Sequence, residues 1–194
     1  MIGKDQLFKA IASKNRGLLA TETDKQAILS AVAQLEDQNP TPRPIEASDQ
    51  LDGNWRLLYT TSRGLLGIDQ FPLLKLGQIY QLIRAKEGRI YNIAEVYGIP
   101  FLEGIVSVAA RFQPVSDRRV EVKFERSILG LQRLTHYQSP EEFVQQLETG
   151  KKLTAIDFSI ENRDQQGWLD ITYLDHDLRI GRGNEGSIFV LAKV

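Results

Sequence analysis

The sequence predicts a mainly β protein: an antiparallel meander preceded by a helical segment and interrupted by one inserted helix. Three observations carry this reading. Apolar residues recur at helical spacing through residues 1–38. Asn39-Pro40-Thr41-Pro42-Arg43-Pro44 then places three prolines within five positions, which no helix can continue. Beyond them the hydrophobic period falls to two, and short turn-forming clusters separate the apolar runs.

In the first segment, 1–38, Leu7, Phe8 and Ile11 share one helical face, and Ile28, Ala31, Val32 and Leu35 form a second such stripe. Thr23, with Gln26 three residues on, reads as the capping box of that second helix. Residues 39–50 form a stiff proline-rich connector, and 51–194 form the β domain. Its alternation is clearest at Arg119-Val120-Glu121-Val122-Lys123-Phe124-Glu125, where Val120, Val122 and Phe124 share one face and the charges share the other. Similar runs fall near 54–61, 78–84, 89–97, 105–113, 131–136, 153–162, 167–174, 178–182 and 187–193. Many short strands with hairpin-length turns make a meander that curls into a barrel or a sandwich. Ser139-Pro140-Glu141-Glu142 opens the inserted helix, with proline at its first position, and Gly150 closes it.

Composition narrows the function classes. The 194 residues are 42% hydrophobic and 25% charged, as in an ordinary globular domain with a core. Lysines and arginines number 24 against 25 acidic residues, a net charge of −1, which argues against a nucleic-acid partner. The absence of cysteine excludes disulfides, thiolate metal sites and cysteine nucleophiles. No apolar run approaches the ~20 residues of a membrane span, and Met1-Ile2-Gly3-Lys4-Asp5 does not open a signal peptide. The expectation is a soluble intracellular protein that can still rest on a membrane surface.

Features that resemble catalytic or metal sites read as structural. Asp175-His176-Asp177 has only one other histidine to draw on, His136, and alternation points His176 away from its neighbours, so no metal is expected. No Gly-x-Ser-x-Gly elbow is present. Gly181-Arg182-Gly183-Asn184-Glu185-Gly186 lacks the Gly-Lys-Ser/Thr ending of a phosphate loop and reads as a hairpin turn. Arg118, Arg119, Lys123, Arg126 and Arg133 alternate with Asp117, Glu121 and Glu125, the pattern of a solvated strand face. No acid–base pair suggests an enzyme, and no cofactor is expected.

In a simple meander the loops alternate between two ends. The first, third and fifth connections, Gly64–Leu74, Gly98–Leu102 and Ile128–Leu131, are all apolar, whereas those of the other end are polar or helical. Loops are ordinarily hydrophilic, so three apolar ones at one end point to a mouth that admits lipid or rests on a membrane. The residues assigned to it are Leu65, Leu66, Ile68, Phe71, Leu73, Leu74, Ile99, Phe101, Leu102, Ile128 and Leu129. The alternative is that these loops fold inward and fill the barrel.

Two segments carry a family resemblance: Leu51-Asp52-Gly53-Asn54-Trp55-Arg56, with its Gly-x-Trp entering the first strand, and Tyr173-Leu174-Asp175-His176-Asp177-Leu178-Arg179-Ile180-Gly181-Arg182-Gly183-Asn184. Together with the helical start and the proline connector, they resemble the plastid lipid-associated protein (PAP)/fibrillin, or plastoglobulin, family of plastids and cyanobacteria. The resemblance implies a lipocalin-like antiparallel β-barrel that binds hydrophobic lipids or isoprenoids, of the prenylquinone or carotenoid class, without catalysis. It implies thylakoid membranes or plastoglobule-like lipid droplets as the surface. An alternative role is as an interaction module for a prenyl diphosphate synthase in plastoquinone-type biosynthesis. Plastid members carry a transit peptide, so this chain is expected to be a cyanobacterial member, cytoplasmic or thylakoid-associated, or a mature plastid chain of stroma or plastoglobule. In lipocalin-like barrels the Gly-x-Trp tryptophan closes one end against a late arginine. Here Gly53, Trp55, Arg179 and Arg182 are the expected closure, with Asp175 and Asp177 as counter-charge holding the arginine.

Overall fold

A computed structural model describes residues 2–62, 74–98, 101–160 and 166–194. Nine strands occur among them: β1 (Gly53–Thr60), β2 (Lys75–Arg84), β3 (Arg89–Tyr97), β4 (Gly104–Pro114), β5 (Arg119–Leu131), β6 (Ile156–Ser159), β7 (Gln166–Leu174), β8 (Leu178–Gly183) and β9 (Ile188–Lys193). Their order is β4-β3-β2-β1-β9-β8-β7-β5-β6, and a further β4–β5 pairing closes β1–β5 and β7–β9 into an eight-stranded antiparallel barrel. The lipocalin-like barrel expected from the sequence is therefore the fold.

The long strand β5 is shared between two partners. Its residues Arg119–Lys123 pair with β7, and Arg126–Leu129 pair with β6. The far ends of β4 and β5, with β6 beside them, thus continue past the point where β7 begins.

Helices cover the outside of the wall in two places. Helices α1 (Ile2–Ile11) and α2 (Glu22–Asp37) lay Leu7, Ile11, Ile28, Ala31, Val32 and Leu35 on the outward faces of β1 and β7–β9, against Tyr59, Tyr173, Ile180 and Val190. Phe8, expected on the same face as Leu7, is instead 39% exposed. The cap of α2 is Thr21 rather than Thr23: Thr21 Oγ1 accepts from the Asp24 amide at 3.2 Å, and the Asp24 carboxylate accepts from the Thr21 amide at 2.9 Å. Because α2 begins at Glu22, Thr23 already lies inside its first turn. The inserted helix, α5 (Pro140–Glu148), begins as expected with Ser139 accepting from the Glu142 amide. It packs Phe143, Val144 and Leu147 on Leu82, Tyr91, Ile93, Ile105 and Ile128 of the opposite outer wall.

The connector is part of the barrel's closure. Asn39 Oδ1 accepts from the Leu174 amide, Pro42 O from Arg118 Nε, and Asp117 O from the Ile45 amide. Ile45, Ala47 and Leu51, the last at the end of the short helix α3 (Ser48–Leu51), pack on the lower interior with Trp55, Ile83, Phe112 and Val120. Gly53 turns the chain into β1 at φ +120°, a conformation that favours glycine.

Two strand assignments differ from expectation. Residues 132–136 are not a strand, because β4 begins at Gly104, opposite Leu131, the last residue of β5. With no partner left, the chain bonds Gln132 to Glu103 O and Gly104 O and turns into helix α4 (Gln132–Thr135). Among the described residues of the 153–162 run, Ile156–Ser159 form the strand, and 161–162 lie outside the described residues.

Candidate functional site

Alternation along each strand sends one set of side chains inward, and they do not fill the barrel. A cavity of about 620 Å³ remains, within the range of small-molecule sites. Its walls are mostly aliphatic and aromatic, including Leu57, Ile79, Val108, Val122, Phe124 and Phe189. Gly181 and Gly183 of β8 also line it, and a Cβ at either would press on Leu169 at 3.2 Å or Phe189 at 3.1 Å, so glycine lets those side chains pack against the strand.

The floor is polar. Arg179, 1% exposed, lines the cavity with its guanidinium 4.9 Å from the centroid of the Trp55 ring. Its Nη2 donates to Gln81 Oε1, and Gln81 Nε2 donates onward to Asn92 Oδ1 at 2.8 Å. Trp55 is fixed from below by its Nε1 bond to Leu51 O at 2.9 Å. Burial pushes the pKa of the Arg179 guanidinium down to about 9, and arginine stays protonated in proteins. Lys193 Nζ lies 5.2 Å from the same Trp55 ring, so a second cation flanks the indole.

The acids expected to hold Arg179 do not reach it. Asp175 is engaged by Lys4 of α1 at 2.5 Å, by the Tyr173 hydroxyl and by the amides of Asp177 and Leu178. Asp177 is exposed and meets His176 Nδ1 at 2.8 Å. Arg182 is also outside, in a two-point contact with Glu36 of α2 at 2.8 and 2.7 Å. The reason is alternation: position 182 has the opposite parity to 179, and the 175–177 turn folds back on its own backbone.

The lining reaches Ser62, Asn184 and Ser187, at the end where β1 leads into β2. By antiparallel topology the β3–β4 connection and the last residues of β5 belong to the same end. Of the residues assigned to an apolar mouth, Leu65, Leu66, Ile68, Phe71, Leu73 and Ile99 lie outside the described residues. Leu74, Phe101, Leu102 and Leu129 are exposed, Phe101 to 79%. Ile128 is not at a rim; it is buried on the outer wall beneath α5, because β5 continues as a strand through 128–131.

Sequence reasoning placed Leu129 at the mouth but missed the β6 residues beside it and two polar residues of the cavity wall. Val108, which lines the cavity, is opposite Ser127, so the next inward pair is Val106 with Leu129. β6 adds Ile156 beside Leu129 and Phe158 beside Ser127, at 70% and 47% exposure. Leu129, Ile156 and Phe158 thus form an exposed apolar shelf on the face that lines the cavity. Gln81 and Asn92 were also missed, although each is a polar residue at an inward position between apolar neighbours, Ile79 and Ile83 or Ile90 and Ala94.

The PAP_fibrillin family model matches residues 1–192. A light-induced chloroplastic protein of Solanum tuberosum is 36% identical over 217 residues, and the match covers 98% of this chain and 66% of that protein's length. A chromoplast-specific carotenoid-associated protein of Cucumis sativus is 33% identical, with 98% of this chain and 67% of its own covered. A chloroplastic plastid-lipid-associated protein of Citrus unshiu is 33% identical, with 97% and 68% covered. No solved structure gives a significant match.

Proposed function

Because this chain belongs to the PAP/fibrillin family, we propose that its barrel is a non-enzymatic container for one hydrophobic lipid, of the prenylquinone or carotenoid class. The observation that carries this is the 620 Å³ apolar cavity opening beside the exposed shelf of Leu129, Ile156 and Phe158. Apolar ligand area removed from water at ~25 cal/mol per Å² supplies the affinity, with few polar contacts needed. The shelf and the exposed Phe101 and Leu102 rest on a thylakoid or lipid-droplet surface, giving the ligand an apolar path into the barrel. The relatives named for lipid or carotenoid association support this reading.

The test is pigment transfer. The protein is incubated with liposomes that carry a carotenoid, the liposomes are floated away, and the soluble fraction is measured for absorbance. Bound pigment near one per chain, displaced by added prenylquinone, is the expected result; a colourless protein overturns the reading. A stoichiometric prenyl diphosphate synthase recovered with a lipid-free protein would instead favour the role of interaction module, with the shelf as its protein contact.

A further inference from the structure

The floor of the cavity holds a charge that no described residue pairs with an opposite one. Arg179 has no carboxylate partner among the described residues: Asp175 and Asp177 are occupied elsewhere, and its one hydrogen-bond acceptor is the neutral Gln81. Its Nη1 is buried without a hydrogen-bond partner. The nearby Lys193 adds positive charge rather than relieving it, since the two cations disfavour one another. A buried cation that lacks an opposite charge is strongly destabilising, and stacking on Trp55 offsets only part of that. A purely hydrocarbon ligand would leave the defect in place. A ligand with an anionic head would correct it, because a carboxylate oxygen accepts a charge-assisted hydrogen bond from the unbonded Nη1.

Resting on the cavity reading above, we propose that the barrel, besides the neutral lipids of that reading, takes long-chain monocarboxylates head-inward and holds them more tightly than neutral chains of the same length, the carboxylate meeting Arg179 Nη1 at the floor. The chain then runs up the apolar wall past Val108 and Phe189 to the mouth. Gln81 is the positioning residue: its Oε1 holds one guanidinium nitrogen and Asn92 fixes its orientation, leaving the other nitrogen for the ligand. From Arg179 to Gly183 the wall rises about 13 Å at ~3.3 Å per residue, so the rest of a long chain reaches the shelf.

Trp55 reports the floor directly. In a Trp168→Phe background, which leaves Trp55 as the sole indole, palmitate, methyl palmitate and hexadecanol are titrated at pH 8 and the Trp55 fluorescence is followed. The expected result is palmitate binding at least tenfold tighter than either neutral analogue. Introducing Arg179→Met should bring the three ligands within about twofold of one another, with hexadecanol binding retained. Equal affinity of palmitate and hexadecanol on the chain with Arg179 intact overturns the proposal while leaving the cavity reading standing, and this comparison does not depend on Arg179→Met folding. Retained palmitate preference in a folded Arg179→Met also overturns it. Binding of none of the three overturns the proposal, and pigment transfer from liposomes then decides the cavity reading separately.

Discussion

Arg179 and Arg182 lie three residues apart on β8 and face opposite sides of the barrel wall: Arg179 over Trp55 at the cavity floor, Arg182 outward onto Glu36 of α2. One strand therefore ties the N-terminal helices to the floor of the cavity. The Arg182–Glu36 contact is two-point but partly solvated, with the arginine side chain 40% exposed. Glu36→Gln is expected to lower stability by about 1 kcal/mol, after allowing for solvent screening. Urea unfolding of Glu36→Gln, Arg182→Ala and the double variant checks this. Additive losses in that cycle would show that the two side chains do not interact.

Acid should loosen the same helices. Asp24 is held down to about 2 by the Thr21 amide first, then by Lys14 and the Thr21 hydroxyl. Burial pushes Asp175 up, but Lys4, the Tyr173 hydroxyl and two backbone amides outweigh it and leave its carboxyl below the ordinary range. Groups depressed in the folded state contribute stability above their unfolded value, near 3.8, and lose it as pH falls toward the folded value. Stability is thus expected to be flat above about pH 5 and to fall between about pH 4 and 2. Asp24→Asn and Asp175→Asn should each flatten that limb in an acid titration followed by circular dichroism. Identical limbs in all three proteins would contradict the assignment.

Filling the cavity should separate binding from folding. Val108 faces open space, so Val108→Phe is expected to change stability by less than about 1.5 kcal/mol. It should remove most carotenoid uptake from liposomes. Unchanged uptake would place the pigment outside the barrel.

The shelf can be tested without touching the cavity. Leu129→Asp combined with Ile156→Asp changes two exposed side chains, so unfolding is expected to move by no more than about 0.5 kcal/mol per site. Flotation on liposomes of thylakoid composition should fall to background. Full flotation of the folded double variant would remove the shelf from the membrane contact.

Much of the barrel was legible because its strands have one wet and one buried face: Val120, Val122 and Phe124 alternate with charges, and short turns mark the ends. The segment 131–136 misled for the opposite reason. Its apolar residues are compatible with a strand, and only the missing partner beyond Gly104 turns them into helix α4. The pairing of Trp55 with Arg179 was readable from motif and strand position, but the partners of that arginine were not. Asp175 and Asp177 are neighbours in sequence, whereas Gln81 is 98 residues away and adjacent only across the barrel. Arg182 shows the same limit, since alternation gives its face but not that Glu36 waits there. The shelf escaped notice because β6 is short and its two apolar residues are significant only through their register with Ser127 and Leu129.

The most direct test of the cavity as the working part of this protein is native mass spectrometry of the purified chain after incubation with a total thylakoid lipid extract. One lipid per chain on the wild-type protein, and none on Val108→Phe, is the predicted result. A wild-type chain without lipid, or equal loading of the two proteins, would contradict it.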